Sequence, residues 1–150
     1  MAEQDRREAI LARLLEVFAA VPGVKAAYRN RLDIAEGKRP AVVMLDADES
    51  VEDEPSGRGR PGDYGPFLAT MVPEIYIILG GPAAQVGTDL NGLRRLIVKA
   101  IFADDSLIRL TKDGDIRYLG FATGLASGRS MEGEAGISFS FRYAIHPPQL

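Results

Sequence analysis

The chain contains no cysteine and only one histidine in its 150 residues. The first absence excludes a disulfide framework, a thiolate nucleophile and any thiolate metal site. The single histidine, His146, stands in the tail His146-Pro147-Pro148. A general base needs an orienting partner and a substrate pocket, and the sequence provides neither there. No G-x-S-x-G elbow occurs, and Ser127, Ser130, Ser138 and Ser140 lack a sequence-evident base. No apolar run approaches the roughly 20 residues needed to span a bilayer. Met1 to Arg7 is charged and leads into an amphipathic stretch rather than an apolar signal core. The expectation is a chain made and kept in the cytoplasm, with no membrane partner. The net charge of −3 lacks the basic excess with which nucleic-acid binders neutralise phosphates. The length suits a single domain over residues 1–150 with a core of its own.

What is present is most informative near the end. In the segment from Gly136 to Ile145, Ile137, Phe139, Phe141, Tyr143 and Ile145 alternate with Ser138, Ser140, Arg142 and Ala144. Side chains on a strand point to opposite faces in turn, so one face is apolar and aromatic and the other small or polar. Such a strand belongs to a sheet covered on one face only.

Upstream, Ile10, Leu11, Leu14, Leu15, Phe18 and Val21 recur at helical spacing, predicting an amphipathic helix from about Glu3 to Ala20 stopped by Pro22-Gly23. Val24 to Arg29 reads as a short strand. Ala41 to Leu45 is a continuous apolar run between Pro40 and Asp46, as expected of a central strand buried on both faces. Residues 47–66 lose all apolar period, running from acids into glycine, proline and arginine, and are predicted to form a long flexible loop. Phe67 to Leu79 returns to strand character, and Pro73 marks an edge position, a bulge or a break. Val86, Leu90, Leu93, Ile97 and Ile101 line one face of a second helix after Gly80-Gly81-Pro82. Ile116 to Phe121 and the final strand follow, separated by a glycine-punctuated connector. The predicted architecture is α+β. Two amphipathic helices pack on one face of a mixed, mostly antiparallel sheet of four to five strands, forming a two-layer sandwich.

The polar clusters have modest chemistry. Asp46, Asp48 and Glu49 at a strand exit offer carboxylates to Mg²⁺ or Ca²⁺, but without the spacing of a calcium loop. A strand exit is also acidic simply because it meets water, and Glu132-Gly133-Glu134 reads the same way. Gly57 to Gly62 is proline-rich and precedes a strand, and Gly80-Gly81 precedes a helix without the lysine and hydroxyl of a phosphate loop. Arg58 and Arg60, with Arg29 and Arg31, offer contact to a nucleic-acid backbone or to another subunit, with the neighbouring acids offsetting them. No catalytic, cofactor-binding or metal-binding residue is assigned, and the chain is not expected to be an enzyme. The candidate subunit or tube contacts are Glu52, Asp53, Glu54, Arg58, Arg60 and Tyr64.

Several segments carry a resemblance. Val21-Pro22-Gly23-Val24 leading into Tyr28-Arg29-Asn30, the run Arg39 to Asp48, Met71 to Ile77, and Gly128 to Glu134 resemble small tail proteins of proteobacterial prophages. The order of segments over nearly the whole chain is similar to the tail terminator (tail completion) family of long-tailed phages. This resemblance implies a structural virion protein that forms a hexameric ring on the head-proximal end of the tail tube. Such a ring ends tube polymerisation and joins the tail to the head connector. The implied partners are further copies of the chain, the major tail tube protein, head–tail connector proteins, and DNA passing through without specific binding. The implied location is the virion tail, assembled in the host bacterial cytoplasm. A head–tail joining or other minor tail protein fits the same segments. Two rivals come from other classes. A small hydrolase or nucleotide-binding enzyme of α+β type predicts a pocket with convergent polar groups, and a small cytoplasmic ligand-binding or regulatory module predicts a monomer or dimer with a concave apolar pocket.

Overall fold

Strand β7, Glu134–Ile145, is the axis around which the rest of the sheet is laid. The computed structural model describes residues 5–31, 33–52, 66–80, 83–123 and 133–147. Strands β4 (Phe67–Met71) and β5 (Glu74–Ile78) both run antiparallel to β7, in one uninterrupted register. Phe67 faces Ile145, Met71 faces Phe141, Ile75 faces Ile137 and Ile78 faces Glu134. Pro73 has no N–H to give to the ladder, so it breaks one long strand into two without shifting the pairing. On the outer side of this broken strand, β2 (Ala41–Leu45) pairs antiparallel with β5, and β3 (Glu49–Val51) pairs antiparallel with β4. Strand β1 (Ala26–Arg29) lies parallel to β2, and β6 (Ile116–Thr123) lies antiparallel along the far side of β7.

The sheet is therefore mixed and seven-stranded. The expected four to five strands undercount it because two long runs are each broken in the middle, which leaves seven segments in five positions across the sheet. A second correction concerns β3, which forms where a flexible loop was expected. All three of its residues are exposed, so no apolar period announced it, and backbone pairing to β4 alone places it. Strand β1 is shorter than expected, and β7 begins two residues earlier than Gly136.

Helix α1 (Arg6–Ala19) is capped by Asp5, whose carboxylate accepts from the Arg7 amide at 3.2 Å. It buries Ile10, Leu11, Leu14, Val17 and Phe18. Helix α2 (Ala83–Ala103) buries Val86, Leu90, Leu93, Ile97 and Ile101, the face read from the sequence. A third helix, α3 (Asp105–Leu110), was not expected; six residues are too few to show a period. Asp104 caps it, accepting from the Leu107 amide at 2.9 Å. Its carboxylate also takes two hydrogen bonds from Arg13 of α1, at 2.9 and 2.6 Å, so one residue starts α3 and ties it to α1.

All of these helical faces meet one side of the sheet. There Val42, Met44, Ala69, Met71, Ile75, Ile77 and the inward residues of β7 complete a single core. Ala135, Ile137, Phe139, Phe141 and Tyr143 are all essentially inaccessible. Among the described residues no helix covers the other side over β7, β4 and β6, where Thr70, Ser138, Ser140 and Arg142 are half-buried. Near β2, however, Ile34 folds over Ala41 and Val43, with Tyr28, Leu45 and Ile78 packed around them. The sheet is thus one-sided over most of its area, and β2 is buried on both faces as its sequence required.

Candidate assembly surface

The uncovered face takes its character from the alternate residues of β7. Gly136, Ser138, Ser140, Arg142 and Ala144 point away from the core because Ile137, Phe139, Phe141 and Tyr143 point into it. Around Arg142 the neighbouring strands set a row of charges across the sheet. Arg142 donates to Glu52, just past β3, from Nε and Nη2 at 2.6 and 3.0 Å. On its other side Asp115, just before β6, lies 3.7 Å away, and its backbone oxygen accepts from the Arg142 amide at 3.1 Å. Asp115 in turn accepts from Arg117 of β6 at 3.1 Å. The paired guanidinium holds the Glu52 carboxyl below its usual range, and the hydrogen bond to Glu52 raises Arg142. Thr70 and Ser140 complete the shallow depression of about 390 Å³ in which these four charges lie.

A second depression of about 310 Å³ lies over the other half of the same face. Val43, Leu45 and Ile78 form its floor, Ile34 and Arg39 one wall, and Tyr76 and Glu134 the other. The Arg39 Nη2 donates to the Ile34 carbonyl at 3.1 Å, while its buried Nε has no partner among the described residues. Burial, with Glu74 and Glu134 nearby, pushes the Tyr76 hydroxyl up from its ordinary value.

The sheet ends in β6 on one side and in β1 and β3 on the other. Beyond β7, β6 carries Leu119 at 54% exposure beside Tyr118, and Phe102 of α2 is exposed nearby, with Tyr118 and Phe102 flanking the buried Phe139 at 5.2 and 6.1 Å. At the opposite edge β3 carries Val51 at 51% exposure. A bulge between Tyr118 and Gly120, where Gly120 takes φ +149, turns the outer part of β6.

Of the residues expected to make subunit or tube contacts, Glu52 is placed by the structure, in its pairing with Arg142. Asp53, Glu54, Arg58, Arg60 and Tyr64 lie outside the described residues. Of the acids at the strand exit, Asp46 is paired with Arg29. Arg29 donates to both Asp46 oxygens at 2.8 Å and to both Glu8 oxygens at 2.7 and 2.9 Å. These bonds hold both carboxyls below their usual range. Among the described residues no group of three or more His, Asp or Glu is arranged to hold a metal ion. Arg31 stacks over Tyr28 at 4.7 Å, so Arg29 and Arg31, expected near one another as anion contacts, are both engaged within the chain. His146 is exposed just past β7, and Ser138 and Ser140 stand on the open face. Glu49 accepts a hydrogen bond from the hydroxyl of buried Tyr143, whose pKa burial and this contact both raise.

Sequence reasoning missed Asp115, Arg117 and Arg142 as members of one set. Arg142 and Glu52 are ninety positions apart, and only the pairing of β3, β4 and β7 brings them together. No protein-family model matches this chain, and no curated protein matches it either.

Proposed function

We propose that the chain is a structural phage tail protein that assembles as a ring, six copies in the closest reading, on the head-proximal end of the tail tube. There it ends tube polymerisation and joins the tail to the head connector. The observation that carries this reading is a sheet that no helix covers over β7, β4 and β6 among the described residues, with the unlike strands β6 and β3 on its opposite sides. Edges and open faces of this kind invite pairing with another chain, and closed rings cover them without leaving a free end. The segment resemblance to tail terminators points to the same assembly. DNA would pass such a ring without specific binding, because the net charge of −3 repels phosphate. Light scattering on the purified protein, alone and with the tail tube protein, is the test. A discrete oligomer in either sample is expected. Monomer in both refutes the reading.

A second reading is favoured by one feature, the 310 Å³ depression with its unpartnered Arg39 Nε. A cytoplasmic ligand-binding module would use that donor for an acceptor group on a small, partly apolar molecule. It predicts a monomer or dimer that is stabilised by such a ligand.

A further inference from the structure

The charge row on the open face has a direction. By successive contacts it reads Arg117, Asp115, Arg142, Glu52, at 3.1, 3.7 and 2.6 Å, with Arg117 and Asp115 both on the β6 side and Glu52 on the β3 side. It begins with a cation at the β6 edge and ends with an anion at the β3 edge. Arg117 is the most exposed of the four, its side chain 72% accessible, and Glu52 follows at 45%. Among the described residues neither β6 nor β3 is paired on its outer side.

The four strands that carry the row, β6, β7, β4 and β3, are each antiparallel to the next. A second copy set beside the first in the same orientation therefore brings its β6 antiparallel to the first copy's β3. In that arrangement the alternation of charge continues across the junction, with Arg117 of one copy meeting Glu52 of the next. The same antiparallel register that opposes Arg117 to Glu52 opposes Tyr118 to Val51. Both of those side chains lie on the helix-covered face, and both are exposed in the single chain, at 36% and 51%. Charge is matched on one face and apolar surface on the other, and the unpaired backbone groups of two edges are satisfied together. A contact of edge β6 to edge β3 is head-to-tail, so each copy keeps one free edge of each kind until a ring closes.

We infer that copies of this chain associate head-to-tail through β6 and β3, continuing one sheet from subunit to subunit, with Arg117 and Glu52 as the cross-junction pair. The inference rests on the ring reading above and specifies its interface. Two consequences separate it from other ways of assembling. Exposed ion pairs are screened by salt, so association weakens as ionic strength rises. A head-to-tail junction also needs one half from each partner, so two differently damaged chains can complement each other.

The experiment uses that complementation. Arg117→Glu and Glu52→Arg are made separately, and each is checked for a cooperative melt near that of the unaltered chain. Each alone is expected to sediment as monomer under conditions where the unaltered chain is a ring. An equal mixture is expected to recover assembly, because alternating copies restore opposite charges at every junction. As a second measurement, Tyr118→Cys and Val51→Cys, which this register sets opposite one another, are introduced together into the otherwise cysteine-free chain and exposed to mild oxidant. A ladder of cross-linked oligomers is expected from the double variant, and dimers only from a mixture of the two single variants. If the unaltered chain forms a ring but both charge variants do so equally well, or their mixture stays monomeric and no ladder forms, this interface is wrong while the ring reading stands. If the unaltered chain is monomeric even with tube protein, the ring reading falls and the interface with it.

Discussion

Replacing Phe139 by alanine tests the claim that β7 organises the core. The ring of Phe139 is wholly inaccessible and lies between Phe102, Tyr118 and Phe141, with centroid separations of 6.1, 5.2 and 6.3 Å. Truncating a buried phenylalanine costs about 3–5 kcal/mol, from lost transfer energy and the cavity left behind. The site is walled by β6, α2 and the neighbouring β7 residue, so collapse into the space is restricted and the upper half of that range applies. A domain of this size has roughly 5–15 kcal/mol in all, so the variant sits near the edge of folding. In thermal terms the loss corresponds to a Tm drop of roughly 8–20 °C. Urea titration followed by far-UV circular dichroism measures it without need of tryptophan, which the chain lacks. The slope of the transition should stay constant if both forms unfold in one step. Leu119→Ala is the control: its side chain is over half exposed, and the change should stay within about 0.5 kcal/mol. A Phe139→Ala variant that loses less than about 1 kcal/mol with an unchanged slope would refute the placement of this residue at the centre of the core.

The remaining predictions concern the two arginine clusters on the helical side. Asp46 and Glu8 have folded pKa values below their unfolded ones, chiefly through hydrogen bonds from Arg29. A depressed carboxyl contributes stability that is fully present above its unfolded pKa of roughly 4 and is lost as pH falls through the folded value. Tm should therefore hold steady from pH 7 to about 5 and decline below about 4. Arg29→Gln should lower stability by about 1–3 kcal/mol at pH 7 and flatten the acid decline, and an unchanged acid limb would remove Arg29 from the account. Asp104→Ala removes both the cap of α3 and the partner of Arg13 and should cost about 1–3 kcal/mol by chemical denaturation. Asp104→Asn keeps the cap and should cost less, and equal losses in the two variants would show that the cap contributes nothing.

How much of this was legible in the sequence follows from which forces placed each element. Strand β7 and the apolar face of α2 were readable because burial imposes a period of two on one and 3.6 on the other. The break at Pro73 was readable as one of three outcomes, since a missing N–H is visible in any sequence. Strand β3 was not readable, because Glu49, Ser50 and Val51 are all exposed and only the β4 backbone holds them. Helix α3 escaped for a different reason: its stabilisation comes from the Asp104 cap and the pairing with Arg13, ninety-one positions away, rather than from its own six residues. The charge row was hidden in the same way. Each member is an ordinary surface residue alone, and the row exists only once four strands are in register.

These two kinds of legibility separate the chain's fold from its assembly along a single strand. The inward residues of β7, from Ile137 to Tyr143, hold the core, and the outward residue Arg142 between two of them holds the charge row. Because the two sets point to opposite faces, a change in one leaves the other's neighbours in place. Phe139→Ala should weaken folding while leaving Arg117, Asp115, Arg142 and Glu52 on the opposite face unchanged. Arg117→Glu should leave the core intact and remove only the contact between copies. A fold built with uncommitted outward positions on its central strand, and unlike edges on either side, can thus remain a stable single chain and still carry a directional rule for joining the next copy.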